Sequence, residues 1–210
     1  MKTKIALFIF GIVLISCNKK ETVKPETVTV DTLATAKVSE NLVIAPGEKI
    51  GNTMIGANAE TLKDLGQPDL SDAAMGKAWM SWFSKNPSNS GTELMVSTGY
   101  KDSQMKEKTI KEIRVNSPDF KTSGGNGVGN TILDIVEEFP NIKATTAYSN
   151  SKTGQEIEVF DDQVSGIAFE IQKEVPKKCI AIIIHEKDKP VRVDYTVLHT
   201  EFQLKDVDNF

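Results

Sequence analysis

The feature that most constrains the fold of this chain is a series of short segments in which apolar and polar residues alternate. Around Ile167, Phe169 and Ile171 every second residue is apolar, which places these side chains on one face of a strand. Such alternation is typical of antiparallel sheets that pack one face against a core and expose the other to water. The predicted strands cover residues 78–83, 93–100, 109–115, 155–160, 166–171, 179–184 and 191–198.

Two short helical patterns precede the two groups of strands. The first covers residues 58–66 and the second residues 131–140, and each ends at a glycine or a proline. We therefore predict an α+β fold of two related units, each a short helix plus antiparallel sheet, with extra C-terminal strands. The units are residues 42–118 and 119–210. The apolar helix positions are Leu62 and Leu65 in the first, and Ile132, Ile135, Val136 and Phe139 in the second, where Thr131 and Asp134 form a near capping box.

The N-terminus carries an export signal. Lys2 and Lys4 precede an apolar run that is too short to span a membrane and that stops at Ser16. The last four residues of this segment, Leu-Ile-Ser-Cys, resemble the lipobox of bacterial lipoproteins. The resemblance implies a signal peptide over residues 1–16, cleavage between Ser16 and Cys17, and acylation of Cys17 by palmitate-type chains. The alternative is an ordinary signal peptide that happens to contain a cysteine.

Residues 17–41 have the composition of a disordered tether between the acyl anchor and the folded body. They mix charge, threonine and proline and contain no aromatic residue, so they bury too little surface to offset chain entropy. The residue after Cys17 is Asn18. An aspartate at this position would resemble a signal for retention in the inner membrane, and it is absent here. We therefore expect a lipid-anchored protein of the bacterial cell envelope, facing the periplasm, at the outer membrane in preference to the inner one.

The charge balance narrows the range of partners. Removal of residues 1–16 takes away Lys2 and Lys4 and lowers the formal net charge from −4 to −6. A negative field argues against nucleic acid as a partner. It also argues against electrostatic docking on anionic lipid, so the membrane contact is expected to run through Cys17.

The two helix-plus-sheet patterns carry a resemblance to a known family. Gly56 and the segment Leu65-Gly66-Gln67-Pro68, together with Gly129 and the segment Phe139-Pro140, resemble the tandem-repeat β-lactamase inhibitor protein fold. The small outer-membrane lipoproteins of the β-barrel assembly machinery share that unit. The resemblance covers roughly residues 48–171 and implies a protein-binding or scaffolding module without catalytic residues. The strands from Cys179 to Phe202 extend beyond it.

No motif in the chain supports a cofactor or a metal. The segment Gly124–Thr131 approaches a phosphate-binding loop, but Asn130 stands where that loop requires lysine. We expect a loop that leads into a capped helix, with an anion site at the helix N-terminus as the alternative. His185 and His199 are the only histidines, and their spacing favours strand ends over a metal site. Cys179 lies in an apolar run and is expected to be a buried, inert thiol.

One segment has more apolar bulk than a single strand face can hide. In residues 79–83, Trp79 and Phe83 share one face, while Met80 and Trp82 share the other. Because the first face can pack against Leu62 and Leu65, Met80 and Trp82 are predicted to point outward as a partner-binding surface, with packing into the core as the alternative. The polar loop at residues 85–91 would frame that surface.

These patterns lead to one functional expectation and two alternatives. The favoured function is a non-catalytic protein-binding or scaffolding module for another envelope protein, without cofactor, metal, nucleotide or nucleic acid. The first alternative is a lipoprotein that binds a small ligand on the concave sheet face. The second is an envelope enzyme of unrecognised type.

Substitution of Cys17 tests the predicted anchor. Cys17→Ala removes the thiol that would carry the lipid, so we expect the variant to leave the membrane fraction or to accumulate as uncleaved precursor. Cell fractionation with immunoblotting measures both outcomes. Normal processing combined with full membrane retention would show that the lipobox interpretation is wrong.

Overall fold

The computed structural model describes residues 39–192 and 201–206. The predicted signal peptide, Ser16 and Cys17 at its cleavage site, and residues 18–38 of the predicted tether lie outside this part of the chain. Contacts place the described residues in one compact unit, Lys37–Phe210. No helix among the described residues is long and apolar enough to cross a membrane.

Strands dominate the described part of the chain. A small sheet contains β1 (Ile44–Ala45), β2 (Lys49–Ile50) and β3 (Thr53–Met54). The large sheet contains β4 (Leu70–Ala74), β5 (Lys77–Phe83), β6 (Glu93–Tyr100), β7 (Lys108–Val115), β8 (Lys143–Ser149), β9 (Glu156–Asp162), β10 (Ile167–Gln172), β11 (Cys179–His185) and β12 (Gln203–Asp206). The helical elements are α1 (Ile132–Glu138) and 3₁₀ segments at Glu40–Leu42, Ala59–Leu65 and Pro87–Asn89.

The large sheet is a single antiparallel layer with the strand order β12-β8-β9-β10-β11-β7-β6-β5-β4. Strands β4 to β7 form one meander and strands β8 to β11 form another. The two meanders join where β11 pairs with β7, with Ile184 opposite Ile113 and His185 opposite Glu112. β4 is an edge of this sheet, and all five of its residues are exposed.

The two faces of the sheet carry two separate core clusters. Ile182 and Ile184 belong to the first cluster, while Ile183 between them belongs to the second, as the strand period of two requires. The small sheet and the helical segments cover the first face with Ile44, Ile50, Leu62, Ile135 and Phe139. On the second face Tyr148, Ile157, Val159 and Met95 pack with Val191 and Phe202.

The capping box predicted at the second helix is confirmed. The Thr131 hydroxyl accepts a hydrogen bond from the backbone of Asp134, and the Asp134 carboxylate accepts one from the backbone N–H of Thr131. These two bonds satisfy backbone donors at the start of the helix that have no intrahelical partner. Hydrogen bonds from Thr131 also hold the pKa of Asp134 below its usual value.

The predicted α+β fold of two helix-plus-sheet units with extra C-terminal strands is wrong: the fold is dominated by antiparallel β-sheet. The first predicted helix forms only the 3₁₀ segment Ala59–Leu65, in which Leu62 is buried and Leu65 is 39% exposed. At this segment the Asn58 side chain accepts one hydrogen bond, from the backbone of Glu60, whereas Thr131 and Asp134 cap α1 reciprocally. Both groups of strands instead share one sheet through the β7–β11 pairing.

The predicted outward orientation of Met80 and Trp82 is also wrong. Both residues pack against the first core cluster, on the face that Leu62 covers, and Trp79 is the residue that packs on the opposite face. Register explains the reversal, because Met80 lies opposite Val96, a fully buried residue of the first cluster. The assignment of faces from bulk alone reversed the strand.

Truncation of Trp82 tests this corrected placement. Since Trp82 is partly buried against the first core and its indole Nε1 donates a hydrogen bond to the Gly66 carbonyl at 3.1 Å, Trp82→Ala should lower the free energy of unfolding by about 2–4 kcal/mol. Chemical denaturation measures the change. Leu133→Ala, at a side chain that is 74% exposed, is the control and should change stability by less than about 0.5 kcal/mol.

Candidate functional site

A groove of about 270 Å³ opens beside Trp82 at one end of the sheet. Trp82 and Phe83, at the end of β5, and Phe120, after β7, supply its aromatic surface. Asn89, Glu93 and Asp119 supply polar groups on the same lining. We call this feature the Trp82 groove.

The acidic side of the Trp82 groove is held in place by local hydrogen bonds. The Asn89 side-chain amide donates to the Asp119 carboxylate at 2.5 Å, and the Ser117 hydroxyl donates to the same oxygen at 3.4 Å. Asn89 comes from the polar loop that follows β5, so this loop does border the groove. The Asp119 side chain remains exposed and presents negative charge at the rim.

Glu93 connects the groove to a buried ion pair on the second face. Its Oε2 lies 3.3 Å from Nη1 of Arg114, whose guanidinium also binds Glu170 through Nε at 2.7 Å and Nη2 at 2.8 Å. Glu170 is fully buried and Arg114 is 6% exposed. Burial alone would lower the pKa of Arg114, but the charge of Glu170 and its hydrogen bonds outweigh burial and raise that pKa.

A second buried cluster lies at the opposite end of the sheet, around His185. Its Nε2 is 2.9 Å from Oδ1 of Asp161, and its Nδ1 is 3.1 Å from the Glu186 carbonyl oxygen. The other Asp161 oxygen accepts the backbone N–H of Val191 at 3.0 Å. Glu112 accepts the backbone N–H of Arg192 at 2.5 Å. Two buried carboxylates therefore hold the chain that leaves β11.

A cleft of about 380 Å³ lies next to this cluster. Its lining mixes basic and acidic side chains, and consists of Tyr100, Lys111, Glu112, His185, Glu186, Lys189, Pro190 and Arg192. We call it the His185 cleft.

The Asp161–His185 pair resembles part of a hydrolase triad but lacks the arrangement that catalysis needs. A catalytic histidine leaves one ring nitrogen for the nucleophile, while the other meets the carboxylate. Here the second nitrogen of His185 faces the Glu186 carbonyl, and the ring is 2% exposed. His199 lies outside the described residues. Within residues 39–192 and 201–206, no group of three His, Cys, Asp or Glu side chains is placed to hold a metal ion.

The glycine-rich segment Gly124–Thr131 is bound by the Glu138 side chain of the same chain. The Glu138 carboxylate accepts hydrogen bonds from the Thr122 hydroxyl at 2.7 Å, the Gly124 N–H at 3.1 Å and the Asn126 side-chain amide at 2.7 Å. A carboxylate thus occupies donors that a phosphate loop would keep for its ligand. The segment leads into the capped helix α1, as predicted.

Cys179 is buried at the start of β11 with 1% exposure. Burial raises the pKa of its thiol, and the negative charge of Glu170 raises it further. Because the thiolate is the reactive form, this environment agrees with the predicted inert thiol.

The structure brings one of the two predicted partner-binding residues to the groove. Trp82 lines it, whereas Met80 packs against the first core and does not border the groove. Sequence reasoning missed Asp119, Glu93 and Phe120. Asp119 and Phe120 follow β7 and reach Trp82 only because β5, β6 and β7 are neighbours in the sheet. The local signals of this site in the sequence are the bulk of Trp82 and the polar loop at residues 85–91.

The buried ion pair gives a sharp stability test. Arg114→Met leaves the Glu170 carboxylate buried without its partner, so we expect a loss of about 3–5 kcal/mol in the free energy of unfolding. Arg114→Met with Glu170→Leu removes both charges and should recover most of that loss. Urea unfolding followed by circular dichroism measures both variants. Equal stability of the single and double variants would contradict this account of the pair.

Comparisons with known proteins give no family for this chain. No protein-family model matches it, and no curated protein matches it. Among solved structures, an extracellular protein containing an SCP domain from Bacillus anthracis str. Ames is similar with a TM-score of 0.42 and 12% sequence identity. The match covers 92% of this chain and 56% of that protein, so the chain spans little more than half its length. A score at this level supports no argument about fold or function.

Proposed function

We propose that this chain is a lipid-anchored protein of the bacterial cell envelope that works as a non-catalytic binding module for another envelope protein. The observation that carries the proposal is the Trp82 groove, in which aromatic surface and carboxylates meet at one end of a rigid sheet. The predicted acylation of Cys17 would keep this groove close to a membrane.

The size of the groove favours a side chain of a partner over a separate small molecule. Pockets for drug-sized ligands usually measure about 300–1,000 Å³, and the groove falls below that range at about 270 Å³. Tryptophan is enriched among the residues that dominate protein–protein binding energy, where it packs against an anchor from the partner. Trp82 is suited to this role because its core contacts and its bond to Gly66 fix the indole.

The charge of the groove indicates what kind of side chain would fit. Asp119 is exposed at the rim, and Glu93 lies behind it with one oxygen on Arg114. Three aromatic rings beside a carboxylate favour a cation with an aliphatic stem, because rings attract cations and the stem covers apolar surface. The proposed partner therefore presents a lysine or arginine in an apolar surrounding.

The contacts of the titratable residues support a non-catalytic role. Glu93 is engaged by Arg114, and His185 has both ring nitrogens in hydrogen bonds. A general base needs a free position within hydrogen-bond reach of its substrate. The proposal of a binding module rests on this engagement together with the shape of the groove.

Site-specific photocrosslinking tests the proposal. A photoreactive amino acid in place of Ser88, beside the groove, should give a discrete adduct in living cells. Asp119→Lys in the same protein should abolish that adduct, because it reverses the charge that attracts the partner's cation. The readout is the adduct band on a blot, with its protein identified by mass spectrometry.

Two controls make the result specific. Glu137→Lys adds the same charge change on the exposed side of α1, away from the groove, and should leave the adduct intact. An adduct that persists in Asp119→Lys, or that is lost equally in Glu137→Lys, would contradict a role for the Trp82 groove.

A further inference from the structure

The chain enters the folded body beside the Trp82 groove. The backbone N–H of Lys121 donates to the Leu42 carbonyl at 3.0 Å, and the N–H of Ile44 donates to the Lys121 carbonyl at 2.8 Å. Phe120, the residue before Lys121, lines the groove. The N-terminal end of the body, residues 39–42, is therefore fixed next to one wall of the groove.

A glycine allows this close approach. A methyl group on Gly51 would lie 2.7 Å from the Asn41 carbonyl oxygen and 3.3 Å from the Phe120 ring. The first distance is shorter than a carbon–oxygen contact permits, so Asn41 and the ring share the space beside Gly51. Because an extended chain spans about 3.3–3.6 Å per residue, the four residues from Asn41 back to Lys37 span up to about 14 Å. Lys37 is therefore within reach of the groove.

The lining of the Trp82 groove carries negative charge only. It contains two carboxylates, Glu93 and Asp119, and no lysine or arginine. One oxygen of Asp119 accepts hydrogen bonds from Asn89 and Ser117, and the other has no partner among the described residues. In the same part of the chain Oε2 of Glu93 binds Arg114, while Oε1 has no partner. Two carboxylate oxygens are thus available to a cation.

Basic residues that adjoin the lining in sequence do not neutralise this charge, because each already has a partner. These residues are Lys85, Arg114 and Lys121. Arg114 is shared by Glu93 and the fully buried Glu170, so these three groups together keep one negative charge. Lys85 forms an ion pair with Asp69. The ammonium of Lys121 donates to the glycine-rich segment. The groove therefore lacks a cation.

The sequence directly before the body supplies a residue of the matching kind. Lys37 stands two positions before Ser39, the first described residue, and its neighbours in sequence are Ala36 and Val38. A lysine between two apolar residues is the group inferred above for the partner, a cation with an aliphatic stem. The next lysine towards the N-terminus, Lys24, is 13 positions further away. Lys37 is therefore the tether lysine best placed for the groove.

We propose that Lys37 of the same chain occupies the Trp82 groove when no partner is bound. Its stem lies along the rings of Trp82 and Phe120, and its ammonium meets the Asp119 carboxylate. The proposal rests on the proposed function in one respect, namely that the groove accepts a cation with an aliphatic stem. It adds regulation, because the chain then carries an internal competitor that a partner must displace.

The expected strength of this contact suits a competitor. An exposed ion pair and a cation beside aromatic rings are each weak, and together they favour the occupied groove roughly 3- to 30-fold over the empty one. Only the empty fraction can bind a partner, so the apparent affinity for the partner falls by the same factor. Binding therefore selects partners whose anchor makes more contacts than a single lysine.

Disulfide trapping tests the occupancy. The mature chain, with Cys17→Ser to exclude acylation, carries Thr35→Cys near Lys37 and Ser88→Cys beside the groove. We expect an internal disulfide under mild oxidation, because docked Lys37 would hold position 35 at the groove. Lys37→Gln changes no described contact of the body, and it should slow trapping about three-fold or more. Non-reducing gels and mass spectrometry of the linked peptides measure the rate, and a rate independent of Lys37 would refute the proposal.

A charge exchange separates docking from a general effect of charge on the tether. Lys37→Glu and Asp119→Lys should each slow trapping, and the two together should restore it, because opposite charges then face each other again. The matched control is Lys24→Gln, which removes a tether lysine far from the body in sequence and should leave the rate unchanged. Equal slowing by Lys24→Gln, or no recovery in the double variant, would overturn the proposal.

A mixture of two single-cysteine chains identifies the molecule that supplies the lysine. With Thr35→Cys on one chain and Ser88→Cys on the other, we expect no linked dimer under conditions that trap the double variant internally. Dimers that form as fast as the internal disulfide would show that a second copy fills the groove, and occupancy by the same chain would be wrong.

Photocrosslinking from position 88 separates this inference from the proposed function. When the partner is limiting, Lys37→Gln should raise the yield of the partner adduct about three-fold or more, because it removes the competitor. If the adduct forms and Lys37→Gln changes neither its yield nor the trapping rate, the groove binds a partner without an internal competitor, and only this inference fails. If trapping depends on Lys37 but no variant gives an adduct, the occupancy is supported and the proposed function fails.

Discussion

The buried contact between Arg114 and Glu170 holds the two halves of this sheet in register. Arg114 lies on β7 and Glu170 on β10, so the guanidinium reaches across β11, the strand between them. Two parallel hydrogen bonds fix the planar groups in one orientation, which a hydrophobic pair would not do. A slip of β11 against β7 by one residue would move Arg114 to the other face and leave Glu170 buried and unpaired. The same guanidinium reaches Glu93 at the Trp82 groove.

Local periodicity predicted six of the nine strands of the large sheet and missed β4, β8 and β12, as well as the three short strands of the small sheet. β9, β10 and β11 are rich in β-branched or alternating apolar residues, and their predicted bounds fall within about two residues of the observed ones. β4 has the sequence Leu-Ser-Asp-Ala-Ala and β8 has Lys-Ala-Thr-Thr-Ala-Tyr-Ser, and neither alternates clearly. Both become strands because a neighbour offers its backbone, β5 to β4 and β9 to β8. The sequence of one segment alone does not predict such pairing.

The candidate site was predictable only where its signal was local. Trp82 stood out by its bulk and the polar loop after it by its composition, but the choice of strand face depended on pairing with β6, where Met80 meets Val96. Asp119 and Glu93 are ordinary surface-type residues in sequence, and only the order of strands brings them together. The helix cap was predictable because the two residues that form it, Thr131 and Asp134, lie close together in the sequence. A site whose residues are brought together by strand pairing over long sequence distances has no comparable local pattern in the sequence.

The open strand β4 has a consequence for how these molecules behave beside one another. An exposed sheet edge is a template on which a second copy can add a strand, and tethering to a membrane would raise the local concentration of copies. Asp72 stands at the centre of β4, and its carboxylate accepts the neighbouring N–H of Ala73 at 2.8 Å. Two such edges brought together antiparallel would set one Asp72 near another. Charge repulsion at a single residue thus discourages the growth of a continuous sheet from molecule to molecule.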